Sequence, residues 1–180
     1  LMLRDWEIST PSKDFLNMIA MKSKDDELAH VLEHNDKQTL EDYVWSKDAL
    51  DLLHNFPAVE LDLHEVSTLF RPLQHRAYSI SSSSKVHADS VHMTIATVRY
   101  HNNRRLHQGV ASGYLAERVG ETDELSVFMS PNKNFRVPEA GDVPIIMVGP
   151  GTGVAPFRAF VEHRAETEAK GKSWLIFGDQ

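Results

Sequence analysis

Val143-Pro144-Ile145-Ile146-Met147-Val148-Gly149-Pro150-Gly151-Thr152-Gly153-Val154-Ala155-Pro156-Phe157 is the stretch on which the fold of this chain turns. Residues 143–148 form a short apolar run bounded by glycine and proline, the pattern of a strand buried on both faces. Residues 154–170 follow with Val154, Phe157, Phe160 and Val161 on one helical face, and Gly171 is placed to close that helix. Residues 173–177 begin a further strand. Strand, glycine loop, helix and strand make a βαβ unit, whose strands run parallel. The loop Gly149–Gly153 holds three glycines in five residues at the crossover. Backbone amides there can approach a phosphate closely. The loop is neither a G-x-G-x-x-G fingerprint nor a Walker A loop, since no Gly-Lys-Ser/Thr follows. Thr152 adds a hydroxyl, and Pro156 is tolerated in a first helical turn. A tight structural turn is the plain alternative.

Two segments upstream give that loop its context. Arg76-Ala77-Tyr78-Ser79 opens an expected strand over residues 76–80, so Arg76 and Tyr78 share one face. A guanidinium there can bind a diphosphate oxygen, the Tyr78 ring can lie against a planar heterocycle, and Ser79 can reach a ring nitrogen. Gly109-Val110-Ala111-Ser112 comes next. Gly109 allows close backbone approach, and Ser112 is expected to N-cap a helix over 112–119, whose N-terminus favours a diphosphate. Between them, residues 81–84 form a serine loop, and 91–100 and 125–129 alternate like strands, with Thr94 and Ala96 opposite Ile95. Taken singly, each segment reads as an exposed strand or an ordinary helix start. In this order they point to a protein that brings a flavin and a nicotinamide nucleotide together.

The first 71 residues have a different period. Residues 1–8 alternate loosely as a strand, and Thr10-Pro11 is an expected helix start. Residues 15–71 read as short helices. Leu28, Val31 and Leu32 fall on one face, and Thr39 with Asp42 resembles a capping box ahead of Tyr43 and Val44. Leu50, Leu52 and Leu53 repeat the theme, and Asp62 with Glu65 starts a turn carrying Val66, Leu69 and Phe70. Pro57 and Pro72 punctuate this helical region.

Composition narrows the function. With 41% hydrophobic and 25% charged residues in 180, the chain has the balance of a globular protein, enough for one domain or parts of two. A net charge of −7 disfavours nucleic acid or an anionic membrane as principal partner. The absence of cysteine rules out disulfides, thiol catalysis and Cys-ligated metal within this span. No apolar run approaches the ~18 residues that span a bilayer. His30 and His34 stand at i, i+4, a possible metal pair, but no third ligand lies near in sequence and a solvated helix face accounts for them. No Gly-x-Ser-x-Gly nucleophile elbow is present. No metal site is expected.

The run from Arg71-Pro72-Leu73-Gln74-His75-Arg76-Ala77-Tyr78-Ser79-Ile80 through Gly149-Pro150-Gly151-Thr152-Gly153-Val154-Ala155-Pro156-Phe157-Arg158-Ala159-Phe160 carries a family resemblance. It resembles the NADPH-dependent diflavin reductases, whose FAD- and NADPH-binding half is built like ferredoxin–NADP reductase. Within them it is most similar to the flavoprotein (alpha) subunits of bacterial sulfite reductases. The resemblance implies an α+β architecture in three parts. Residues 1–73 would be a helical connecting domain, 74–142 the second half of an antiparallel FAD-binding β-barrel, and 143–180 the first βαβ unit of an α/β NADPH-binding domain.

The same resemblance implies roles. Arg76 would bind the FAD diphosphate, Tyr78 would flank the isoalloxazine, and Ser79, the catalytic candidate, would lie near its N5 edge. Thr94, Ile95 and Ala96 with Tyr100 would hold the adenosine part, while Gly109, Val110, Ala111 and Ser112 would cap the diphosphate. Gly151, Thr152 and Gly153 would face NADPH. Ala77 stands where the family often has a larger residue. An FMN domain, the early barrel strands and the rest of the NADPH domain would lie outside these 180 residues, leaving the chain by itself inactive. The expected acceptor is a sirohaem-bearing sulfite reductase haemoprotein subunit reached through FMN, in the cytoplasm, with no nucleic acid or membrane partner. A cytochrome P450 reductase type, or a non-catalytic structural module unable to hold FAD, stays open.

Overall fold

The computed structural model describes residues 6–34, 36–102 and 105–179. The chain divides into two compact units, the first comprising Leu1–His75 with Tyr100–His107 and the second Arg76–Arg99 with Gln108–Gln180.

The first unit is helical, and each helix starts where a short polar side chain can satisfy its free amides. Helix α1 (Lys13–Ser23) is capped by Ser12, whose hydroxyl accepts from Phe15 N at 3.1 Å. The expected cap at Thr10 is therefore displaced to Ser12, on the far side of Pro11. Helix α1 ends at Lys24, which is left-handed (φ 55°) and donates to Ala20 O. Helix α2 (Asp26–His34) begins with Asp25 accepting from Leu28 N at 2.7 Å. Helix α3 (Lys37–Val44) corrects the expected Thr39–Asp42 box. Asp36 is the cap, because its carboxylate takes both the amide and the hydroxyl of Thr39. Helix α4 (Ala49–Asn55) opens with a capping box of Asp48 and Asp51, and α5 (Leu63–Leu69) with the expected box of Asp62 and Glu65.

These helices bury one core. Phe15, Leu16 and Ile19 of α1, Leu28 of α2, Leu52 of α4, Val59 and Phe70 pack together with Ile8 and Ala49. The Phe15 and Phe70 ring centroids lie 5.1 Å apart, and Trp6 stacks on Phe70 at 6.2 Å. Strand β1 (Trp6–Glu7) pairs antiparallel with β2 (Arg71–Pro72), closing the unit's ends. The Lys22 ammonium ties α1 to α5 through Glu65 and the carbonyl of Glu60. Strands β3 (Arg99–Asn102) and β4 (Arg105–Gln108) pair, and Asn102 donates to Ser46 O at 2.6 Å, just ahead of α4.

The expected strand 91–100 is borne out only at its end, where Arg99 and Tyr100 enter β3. Among the described residues its earlier part, in the second unit, meets the expected strand 76–80 only at an antiparallel bridge between Ile80 and Met93, with Ser81 N donating to His92 O at 2.8 Å. Residues 125–129 join no ladder among the described residues. Alternation reports which way side chains face, but a strand exists only where a neighbour completes its hydrogen bonds. Helix α6 is Val110–Glu117. Strand β5 (Ile145–Val148), a 3-10 turn (Gly151–Val154), helix α7 (Ala155–Glu166) and strand β6 (Ser173–Ile176) form the βαβ unit, β5 and β6 being parallel with Ile145 opposite Ser173. Met147 is buried, whereas Ile146 and Trp174, opposite one another, share an open face.

Helix α7 is shorter than its sequence pattern. Thr167 turns both its amide and its hydroxyl back onto His163 O, and Glu168 is left-handed (φ 50°), so the helix stops there rather than at Gly171. Gly171 serves a different purpose. A Cβ on it would run into Val143 O and lie 2.5 Å from Asp142 O, so only glycine lets these backbones cross. The buried Arg164 of α7 fastens the same crossing, donating to Val143 O at 3.1 Å, Gly171 O at 2.6 Å and Ser173 Oγ at 3.0 Å. Among the described residues, no helix is long and apolar enough to cross a membrane.

Candidate functional site

The glycine loop follows β5 directly, and its amides are largely committed to the fold. Gly149 N donates to Ile176 O at 3.0 Å, Gly151 N to Gly178 O at 2.9 Å and Gly153 N to Pro150 O at 2.9 Å. Gly151 is left-handed (φ 53°), a conformation that favours glycine. A Cβ on Gly149 would lie 2.8 Å from Val154 Cα and 2.9 Å from Gly153 O. The loop is thus folded tightly back on itself at the mouth of the parallel pair, with Thr152 exposed at its tip. In parallel α/β sheets this end of the strands is where nucleotides bind.

The Gly109–Ser112 segment departs from its expected geometry in one respect. Gly109, not Ser112, is the N-cap, and Ser112 lies inside the first turns of α6 with its hydroxyl accepting from Val98 N at 3.1 Å. A Cβ on Gly109 would run into Ser112 Oγ and lie 2.9 Å from Val98 Cβ, so any other residue at this helix start would have to displace them. Because Gly109 offers no side-chain acceptor, the first-turn amides at Val110, Ala111 and Ser112 have no side-chain cap. That end of α6 suits an anion. Ser112 and Ile95 also line one groove of about 320 Å³, with Met93, Thr97, Leu115 and Ala116 completing its wall. The strand-like segment carrying Thr94, Ile95 and Ala96 and the start of α6 are therefore neighbours. Thr94 and Ile95 are half-buried and Ala96 is exposed.

Arg76, Ala77 and Ser79 are exposed and Tyr78 is half-buried, in an extended run whose last residue is the bridge-forming Ile80. The serines that follow anchor this run to the βαβ unit. Ser83 N donates to Glu162 Oε2 of α7 at 2.9 Å, and Ser83 Oγ lies 3.5 Å from His163 Nδ1. The Ser83 amide holds the Glu162 carboxyl below the usual carboxylate range, and His87 and Arg158 add to this. Local spacing carries no sign of this tie, since it joins residues 79 apart.

The other feature beyond sequence reasoning is in the first unit. Asp48 and Asp51, the capping box of α4, are both buried, and Arg105 of β4 reaches across to them. Its guanidinium contacts Asp48 Oδ2 and lies 3.1 Å from Asp51 Oδ2, while Nε donates to Asp51 Oδ1 at 3.2 Å. His107 sits beside them with Nδ1 3.5 Å from Asp48 Oδ2 and Nε2 3.5 Å from Asp51 Oδ2. Burial pushes the Asp51 carboxyl up, but the Asp48 amide and the Arg105 guanidinium outweigh it and leave it lowered. Asp48, Asp51 and His107 are a donor set of the type that binds a divalent cation. Here a guanidinium already sits on both carboxylates, so the set reads as an ion-pair network. Tyr100 belongs to this neighbourhood, its ring stacked on His107.

Comparison with known proteins supplies the decisive observation. Residues 4–114 match the family model described as FAD binding domain. The chain belongs to the FAD binding domain family. Residues 147–180, from β5 onward, match a second model, the oxidoreductase NAD-binding domain. The FAD binding domain match thus takes in Arg76–Ser79 and Gly109–Ser112, and the second match takes in the glycine loop. Curated relatives agree. The chain is 49% identical over 141 residues to the sulfite reductase [NADPH] flavoprotein alpha-component of Mannheimia succiniciproducens, covering 78% of this chain and 24% of that protein. It is 40% identical over 179 residues to the protein of the same name from Bacillus subtilis, covering 99% of this chain and 30% of the relative. For Neisseria meningitidis serogroup C the figures are 43% over 178 residues, 99% and 29%. The chain spans between about a quarter and three-tenths of the length of these relatives.

Proposed function

We propose that this chain is the part of an NADPH-dependent flavoprotein oxidoreductase that holds FAD and receives NADPH. The reading rests above all on the order of the two family matches, an FAD-binding region over residues 4–114 followed, after residues 115–146, by an NAD-binding match over the βαβ unit at 147–180. When bound, the two cofactors supply the redox chemistry, NADPH giving a hydride that FAD accepts; the protein's part is binding and orientation. Arg76 pairs with the FAD diphosphate, and the uncapped amides at Val110 and Ala111 receive its other oxygens. Tyr78 lies against the isoalloxazine and Ser79 places a hydroxyl at the reactive edge of that ring. Thr94, Ile95, Ala96 and Tyr100 take the adenosine portion. Thr152, with Gly151 and Gly153, takes NADPH at the tip of the crossover loop. Residues 1–73, 74–142 and 143–180 divide as helical connecting domain, barrel half and start of the NADPH domain. The relatives' names support sulfite reduction as the overall reaction. On the family resemblance alone, electrons leave through FMN to a haemoprotein subunit.

The test uses the flavoprotein that carries this segment. Arg76→Ala removes a charge-assisted contact, and FAD retention after dialysis is expected to fall by a factor corresponding to roughly 1.5–3 kcal/mol. Thr152→Val is expected to raise the KM for NADPH several-fold with flavin content unchanged. Full FAD stoichiometry in the first variant and an unaltered KM in the second would together remove the assignment.

A further inference from the structure

We propose that His107 is a positioning residue that fixes the ring of Tyr100 as a stacking platform for the adenine of FAD, an inference that rests on the reading above. His107 is only 6% exposed, and its Nε2 has no hydrogen-bond partner among the described residues. It lies instead with a carboxylate oxygen 3.5 Å from each ring nitrogen. Those carboxylates are fixed twice over. Asp48 Oδ1 accepts from Asp51 N at 3.0 Å, Asp51 Oδ2 accepts from Asp48 N at 2.9 Å, and Arg105 bridges the pair. The imidazole therefore has little freedom to tilt. Against it lies Tyr100, with ring centroids 4.8 Å apart and planes within 8°. A near-parallel stacked pair of this kind favours one ring orientation. Tyr100 remains 45% exposed, so imidazole covers part of the ring while the rest is accessible to a ligand.

The chemistry that matches an immobilised, half-open phenol ring is a planar purine, for which stacking on an aromatic side chain is tolerant of base identity. Holding the ring in place before the ligand arrives spares the loss of its rotamer freedom on binding. A residue that does this never touches the ligand. It acts through Tyr100 or not at all, and that is what a double-mutant cycle measures.

Deflavinated flavoprotein would be titrated with FAD by the quenching of flavin fluorescence, in the wild type and in His107→Gln, Tyr100→Ala and the double variant. Gln keeps an N–H facing the carboxylates and loses the ring. His107→Gln is expected to weaken FAD roughly five- to tenfold. Tyr100→Ala should weaken it at least as much, and the double variant no further. His107→Phe restores the flat ring without the nitrogens that face the carboxylates, and should recover the affinity only in part. If His107→Gln weakens binding by the same factor with and without Tyr100, the platform is wrong and the FAD site stands. If neither Tyr100→Ala nor Arg76→Ala changes FAD affinity, the FAD reading itself fails and the platform with it.

Discussion

Asp51→Ala is expected to destabilise the first unit by about 3–5 kcal/mol, the cost typical of breaking a buried charge network by removing one partner. Asp51 is 3% exposed and has two tasks. Its Oδ2 accepts from Asp48 N as half of the capping box of α4, and both its oxygens meet the Arg105 guanidinium. Alanine strands that guanidinium beside Asp48 alone and frees an amide at the helix start. Asp51→Asn keeps an acceptor for the cap and should cost markedly less. Urea unfolding midpoints of the two variants, compared at equal slope, separate the cap from the charge.

The same residue sets an acid limb. A carboxyl lowered in the folded state contributes stability that is fully present above its unfolded value of ~4 and disappears as pH falls through the lowered folded value. Asp51 should therefore leave stability flat from neutrality to about pH 5 and subtract from it below about pH 4. In Asp51→Ala the decline below pH 4 should be shallower.

Gly171→Ala is expected to cost the βαβ unit at least about 3 kcal/mol, an overpacking effect at the upper end because the obstruction is backbone. The added methyl would meet Val143 O, Asp142 O and Val143 C, the last at 2.6 Å. None of these can swing aside as a side chain would. Relief requires opening the crossing that holds Gly171 N to Gly141 O at 2.9 Å and Ile145 N to Lys172 O at 2.8 Å. Amide exchange across β5 and β6 should accelerate in this variant while the α1–α5 helices keep their protection. Uniform acceleration in both units would contradict the local origin of the effect.

The parts of this fold that were legible in the sequence are those written in local spacing. Asp62 with Glu65, three residues apart, announced α5 correctly, and the apolar run, glycine loop and amphipathic helix announced β5, its crossover and α7. Misplacements were local competitions. Asp36 displaced Thr39 as the cap of α3 by binding both its amide and its hydroxyl, and Gly109 displaced Ser112 because the Ser112 hydroxyl is taken by Val98 N. What stayed hidden depends on distant partners. Period-2 alternation at 76–80 and 91–100 could not reveal that, among the described residues, the two segments meet only at Ile80 and Met93. Nor could two aspartates in a capping box reveal an arginine 57 residues on from Asp48, or a serine loop its tie to Glu162.

Of the proposed site residues, the structure sets Ile95 and Ser112 on one groove and anchors the Arg76–Ser83 run to the helix that follows the glycine loop, through Ser83 and Glu162. The most direct measurement is anaerobic: FAD-loaded flavoprotein carrying this segment, separated from free flavin, is mixed with NADPH and its visible flavin absorbance is followed. A fast bleaching phase, slowed in Thr152→Val at unchanged flavin content, is the expected result. A protein that emerges colourless from the separation, or a bound flavin whose absorbance NADPH leaves unchanged, would contradict it.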